Sequence, residues 1–142
     1  MYLLFASGRY FTTKTFSPYG SPRMMRKMYE NGSDVSPYED PYPKVIDLEY
    51  EKEPIILDYI NNKFRIGYDV GGKVKYFALN KIDNTILLSQ IGSKSLYFIE
   101  EDGYFITELK NKKYILTHVT HHLTLSEYKM AFNDQFKITL LP

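Results

Sequence analysis

His118, His121 and His122 are all the histidines of this chain, and they fall close together. Imidazoles two to four residues apart reach a common metal ion, but a structural zinc site asks for four ligands and often uses thiolates. The chain has no cysteine, and Glu127 is the only carboxylate close by. The ordinary reading is an exposed hairpin turn that contains histidine. The three imidazoles stand as fallback metal ligands, with a pH-sensitive contact as a smaller alternative. No metal or other cofactor is expected. Covalent chemistry has no better footing: there is no Gly-x-Ser-x-Gly elbow and no Gly-x-x-x-x-Gly-Lys phosphate loop. The acidic runs Glu39-Asp40 and Glu100-Glu101-Asp102 fall at turn-like positions, where solvated charge is the usual state. The expectation is a protein that is not an enzyme.

The residues best suited to recognition lie in segment 16–43, which holds five of the seven prolines. Ser21-Pro22 is an N-cap followed by proline at the first helical position, and Asn31-Gly32 is a stop, so 22–30 is read as a short helix. Met24, Met25 and Met28 share one of its sides, while Arg23, Arg26 and Lys27 spread over the rest. The proline-braced stretch 34–43 then runs extended. Tyr19, Tyr29, Tyr38 and Tyr42 add wide contact area for little side-chain entropy. Candidate binding residues are therefore Tyr19, Arg23, Arg26, Lys27, Tyr29, Tyr38 and Tyr42. The competing reading makes the methionines a plug, with the tyrosines packed over one end of the body.

What must position such a segment is a β body. The 142 residues are enough for one domain with a core that needs no disulfide. With 14 Tyr and 9 Phe, the composition favours strands. Eighteen basic against seventeen acidic side chains leave a net charge of +1, which argues against a nucleic-acid partner. Met1-Tyr2-Leu3-Leu4-Phe5-Ala6 lacks the basic region and length of a signal peptide, and no run approaches a membrane span. Cytoplasmic location is the default expectation.

Strands are read at 2–6, 9–15, 44–51 and from Pro54 to the Asn61-Asn62 turn. Four more follow at 63–70, 73–79, 85–91 and 95–100, and a last four at 104–109, 113–118, 122–127 and 135–141. In 44–51, Ile46, Leu48 and Tyr50 are expected on the inner face, and Asp47, Glu49 and Glu51 on the outer one. Internal repetition supports the grouping. Asn111-Lys112-Lys113-Tyr114-Ile115 has close copies at Gly72-Lys73-Val74-Lys75-Tyr76-Phe77 and Ser7-Gly8-Arg9-Tyr10-Phe11. Tyr76 and Tyr114 are 38 residues apart, and Tyr10 and Tyr76 are 66 apart; the excess of 28 equals the length of segment 16–43.

Twelve short strands in three groups of four, each marked [Lys/Arg]-Tyr-[Phe/Ile] on its second strand, resemble a β-trefoil. The mark is similar to the Gly-Lys-Tyr-Leu signature of the fascin-like, hisactophilin-like and fibroblast-growth-factor-like branches, and Phe136-Lys137-Ile138 resembles the Phe-x-Ile that ends a unit there. The expected fold is thus an all-β trefoil, a single domain over 1–142. Its units are 1–61 (with the insertion 16–43 between strands 2 and 3), 62–101 and 102–142. The resemblance implies a binding module of the kind found among lectins, protease inhibitors, cytokines and actin-crosslinking proteins. The favoured function is recognition of a protein partner through 16–43, as an inhibitor-like loop or an assembly scaffold. Glycan binding is the alternative, although the Gln-x-Trp mark of ricin-type repeats is missing and the chain has no Trp. An up-and-down barrel carrying a lipid is the third reading.

Overall fold

The computed structural model describes residues 1–15, 44–81, 84–129 and 132–142. They form an all-β arrangement, a curled antiparallel sheet of twelve strands. In order these are β1 (Tyr2–Phe5), β2 (Tyr10–Thr15), β3 (Lys44–Glu49), β4 (Ile56–Ile60), β5 (Lys63–Val70) and β6 (Lys73–Leu79). The chain continues through β7 (Ile86–Ser89), β8 (Phe98–Glu101), β9 (Tyr104–Leu109), β10 (Lys112–Val119), β11 (His122–Glu127) and β12 (Ile138–Leu141). Among the described residues the helical pieces are two 3-10 turns, Gly92–Lys94 and Asp134–Phe136. None is long and apolar enough to cross a membrane. The short helix expected at 22–30, and all seven candidate binding residues of segment 16–43, lie outside the described residues.

Tight turns set much of the register. Gly71-Gly72 (φ 61° and 86°), Asp102-Gly103 (54° and 89°) and Lys110-Asn111 (49° and 65°) hold both central residues left-handed. That conformation matches the right-handed twist of the flanking strands. Pairing then runs β4–β5–β6–β7 and β8–β9–β10–β11, with β2 against β3 over six residue pairs, Tyr10↔Glu49 to Thr15↔Lys44. β1 lies along β12 from Tyr2↔Leu141 to Phe5↔Ile138.

Non-local bridges join the hairpins. The returning strands of β2–β3, β6–β7 and β10–β11 meet at Val45↔Leu87, His122↔Asp47 and Thr85↔Thr124. β5 also meets β8, at Phe64↔Phe98. Ile55 donates its N–H to the Met1 carbonyl at 2.8 Å, and Ile138 donates to Gly103 at 2.8 Å. β5 beside β8 and β3 beside β7 depart from a simple up-and-down order.

The repeated tripeptide is explained by packing. Phe11, Phe77 and Ile115, the apolar residue of each copy, are all 0% exposed, whereas Tyr10, Tyr76 and Tyr114 are half-buried. Phe11 stacks at 6.3 Å on Phe77, and Phe5 lies 4.9 Å from Phe11. Tyr68, whose ring centre is 6.4 Å from that of Phe77, donates its hydroxyl to the Phe11 carbonyl at 2.7 Å. This bond ties β5 to β2 through the middle of the core. Burial raises the Tyr68 hydroxyl far above its ordinary value, with Glu53 adding to the shift, so it remains a donor. Beside β6, Gly67 leaves room for Tyr76: a Cβ there would meet the Lys75 carbonyl at 2.7 Å and the Tyr76 ring at 2.8 Å. The Arg65 guanidinium lies over that ring at 3.8 Å and bonds Asp58 at 2.7 Å.

Several expectations are corrected. Asp47 is 1% exposed rather than on a solvated face: β11 pairs with β3 at that point, and the His122 ring bonds the Asp47 carboxylate at 2.8 Å. Tyr50 is 78% exposed, since β3 ends at Glu49 and the chain bends before the tyrosine can turn inward. The strand read at 95–100 starts only at Phe98, because the 3-10 turn Gly92–Lys94 consumes the approach. The strand read at 135–141 starts at Ile138: the Asn133 side chain accepts from the Gln135 N–H at 3.0 Å and stabilises a 3-10 turn instead.

Candidate functional site

The histidines are divided by strand alternation. His118 sits near the end of β10, half-buried, with its ring edge-on to Phe5 at 4.8 Å and to Phe136 at 5.2 Å. Neither of its ring nitrogens has a partner in hydrogen-bond geometry. Burial lowers its pKa, and the nearby Arg9 charge lowers it further; the Thr120 backbone opposes the shift without meeting that geometry. His118 is thus a neutral core-facing ring, not part of an exposed turn.

His121 and His122 lie beyond the bend, where Thr120 at φ 55° reverses the chain. The His122 Nδ1 is 2.8 Å from the Asp47 Oδ1, and the His121 and His122 rings are 4.1 Å apart. One ligand atom from each of Asp47, His121 and His122 falls within 4.8 Å of the others. Among the described residues these three, rather than the three histidines, are the set that geometry offers to a cation. The 2.8 Å contact is a direct hydrogen bond that an ion would have to replace. As it stands, the pair pins β11 to β3, aided by the Leu48 N–H donating to the His121 carbonyl at 2.8 Å. Sequence distance alone could not have brought Asp47 to this cluster; the sequence pattern placed it outward.

A second arrangement lies where the segment after β7 meets the β9–β10 turn. A cleft of about 640 Å³ has Lys81, Lys94, Lys110 and Lys112 around it, over Leu96, Leu109 and Leu125. It contains no carboxylate among its described lining residues. A neighbouring cleft of about 510 Å³ shares Ser95, Leu96 and Leu109, and adds Lys63, Lys113 and one acid, Glu108. The clue available in the sequence was three lysines within four residues, Lys110, Lys112 and Lys113, at a predicted turn. The apolar floor and the approach of Lys81 and Lys94 were not readable, because they come from other strands and loops.

No family model, curated protein or solved structure matches this chain.

Proposed function

We propose that this protein is a non-enzymatic recognition module with a β-trefoil body, and that segment 16–43 is the arm with which it binds a protein partner. Two features support the trefoil reading. The strands β1, β4, β5, β8, β9 and β12 can be followed as one circuit through the β4–β5, β5–β8, β8–β9 and β1–β12 pairings and the Ile55–Met1 and Ile138–Gly103 hydrogen bonds. The three remaining hairpins touch one another through one bridge for each pair.

The observation that carries the functional reading is Thr15↔Lys44, the last pair of the β2–β3 register. Segment 16–43 therefore leaves and re-enters the sheet at directly opposed backbone positions. It stands where the β10–β11 hairpin needs only Thr120-His121. An inserted segment at a hairpin tip puts little demand on the body, and long loops in compact domains commonly carry function. Its composition then favours a protein partner: four tyrosines, three basic residues and a proline-braced stretch.

The test replaces residues 16–43 by Asn-Gly. The shortened protein is expected to keep a cooperative melt within about 5 °C of the full chain, as for a change near 1 kcal/mol. It should fail to retain partners that the full chain captures after crosslinking in an extract. A shortened protein that retains the same partners would overturn the reading, as would one that unfolds, since the segment would then belong to the core.

A further inference from the structure

We propose that His121 and His122, at the tip of the β10–β11 hairpin, together bind a copper(II) ion, and that the buried Asp47 carboxylate orients His122 for it. The site is separate from segment 16–43 and from His118, whose ring faces the core.

The first argument is proximity. The hairpin closes at Val119↔His122 and turns through Thr120-His121, with Thr120 left-handed at φ 55°. Successive residues within a strand point their side chains to opposite faces. His121 belongs to the turn instead, and its ring comes to 4.1 Å from that of His122, centre to centre. One ligand atom of each lies within 4.8 Å of the other. Metal–nitrogen bonds of about 2.0–2.1 Å at a right angle put two donors about 3 Å apart. Both side chains are exposed, so ordinary rotation closes that difference.

The second argument is orientation. A carboxylate accepts hydrogen bonds and does not donate them, so the 2.8 Å contact with the Asp47 Oδ1 places the shared proton on the His122 Nδ1. The free lone pair is then on Nε2. Metal-binding imidazoles are ordinarily held in this way, by a carboxylate on the nitrogen that the ion does not use. The Asp47 side chain is 1% exposed and that of His122 49%, so the bond anchors the ring at its buried end. The tip itself is held by the Leu48 N–H on the His121 carbonyl and by the Arg9 guanidinium on the Thr120 carbonyl. Binding through Nε2 keeps the Asp47 bond, which a site using all three ligands would break.

The choice of ion follows from the donors. Two imidazoles suit copper(II), which heads the affinity order of the divalent first-row ions and takes nitrogen and oxygen ligands in a plane, with water completing it. Structural zinc asks for four protein ligands, more than this tip offers among the described residues. The Arg9 charge on the same tip disfavours ions held by charge alone, such as calcium and magnesium, which also ask for several oxygens.

The experiment titrates copper(II) into the untagged full chain, followed by electron paramagnetic resonance. One equivalent should bind, with coupling to two imidazole nitrogens, and excess magnesium should not displace it. His121→Ala and His122→Ala should each weaken binding about tenfold or more and remove one of the two couplings. Asp47→Asn should weaken it about tenfold, the lower end for loss of a carboxylate behind a ligating histidine, and alter the spectrum with both nitrogens still coupled. His118→Phe should bind as the parent does. The His121 side chain is exposed, so His121→Ala folds and decides the location even where His122→Ala does not. Copper that keeps its free aqueous signal would overturn the site. Binding unchanged in His121→Ala would overturn the location, and unchanged binding and spectrum in Asp47→Asn would overturn the orienting role.

Discussion

His118 shows how one side chain can make the whole fold sensitive to pH. Its ring lies between Phe5 and Phe136, and burial together with Arg9 disfavours the imidazolium, so its folded pKa lies below the ordinary 6.5. Near and below pH 6.5 the unfolded chain binds the proton more readily than the folded one. Stability due to this group is therefore intact above that pH. It falls as pH drops through about 6.5, and levels off below the folded value. Replacing His118 by Phe keeps an aromatic ring between the two phenylalanines and removes the titration. The stability of His118→Phe relative to the parent is expected to stay level from pH 8 to 7.5 and to improve as pH falls through about 6.5. The gain cannot exceed about 1.4 kcal/mol per pH unit for one proton. Urea unfolding at several pH values measures it, and a difference that stays constant would show that the ring is not the group responsible.

Between hairpins, the informative contact is Asp47 with His122. A carboxylate that is 1% exposed and bonded at 2.8 Å to an imidazole on another hairpin couples two elements whose shared backbone register is the single pair His122↔Asp47. Truncation of His122 is expected to cost about 1–3 kcal/mol, the range for a buried polar group, here the Asp47 carboxylate, that loses a partner. Asp47→Asn and His122→Ala, alone and combined, should show a coupling of at least about 0.5 kcal/mol in a double-mutant cycle. Strict additivity would mean that the two side chains stabilise the junction independently. Zinc gives a separate readout of the same cluster: with the direct bond intact, the melting temperature should not move. A rise that His121→Ala abolishes would instead make Asp47, His121 and His122 a metal centre.

At the scale of the molecule, what was legible in the sequence was local, and what was hidden depended on distant strands meeting. Gly71-Gly72 and Asp102-Gly103 announce their turns because few residues tolerate left-handed φ. Phe64, Ile66 and Tyr68 announce a buried face by alternation, and all three are buried. Asp47 obeyed the same alternation but was misread, because its carboxylate is taken up by His122, on a hairpin more than seventy residues away. The lysine cleft was hidden for a similar reason, its rim being gathered from three separate stretches. The proposed division into a body and an inserted segment came from repeat spacing and from the proline-rich composition of 16–43, and it makes a claim about the whole chain. Tyr2 pairs with Leu141, so residues 1 and 142 lie close enough to be joined by a short Gly-Ser linker. A circular permutant so joined, with new ends opened inside 16–43, keeps every strand pairing described above. It should fold cooperatively and melt within about 5 °C of the parent, because the new ends fall between Thr15 and Lys44 and leave every described strand pairing intact. Circular dichroism and thermal melting decide the point. A permutant that folds makes the β2–β3 connection dispensable for assembling the sheet, and leaves 16–43 available for recognition. One that stays unfolded means the hairpin must form early through an intact segment, and the body and the arm would then be a single folding unit.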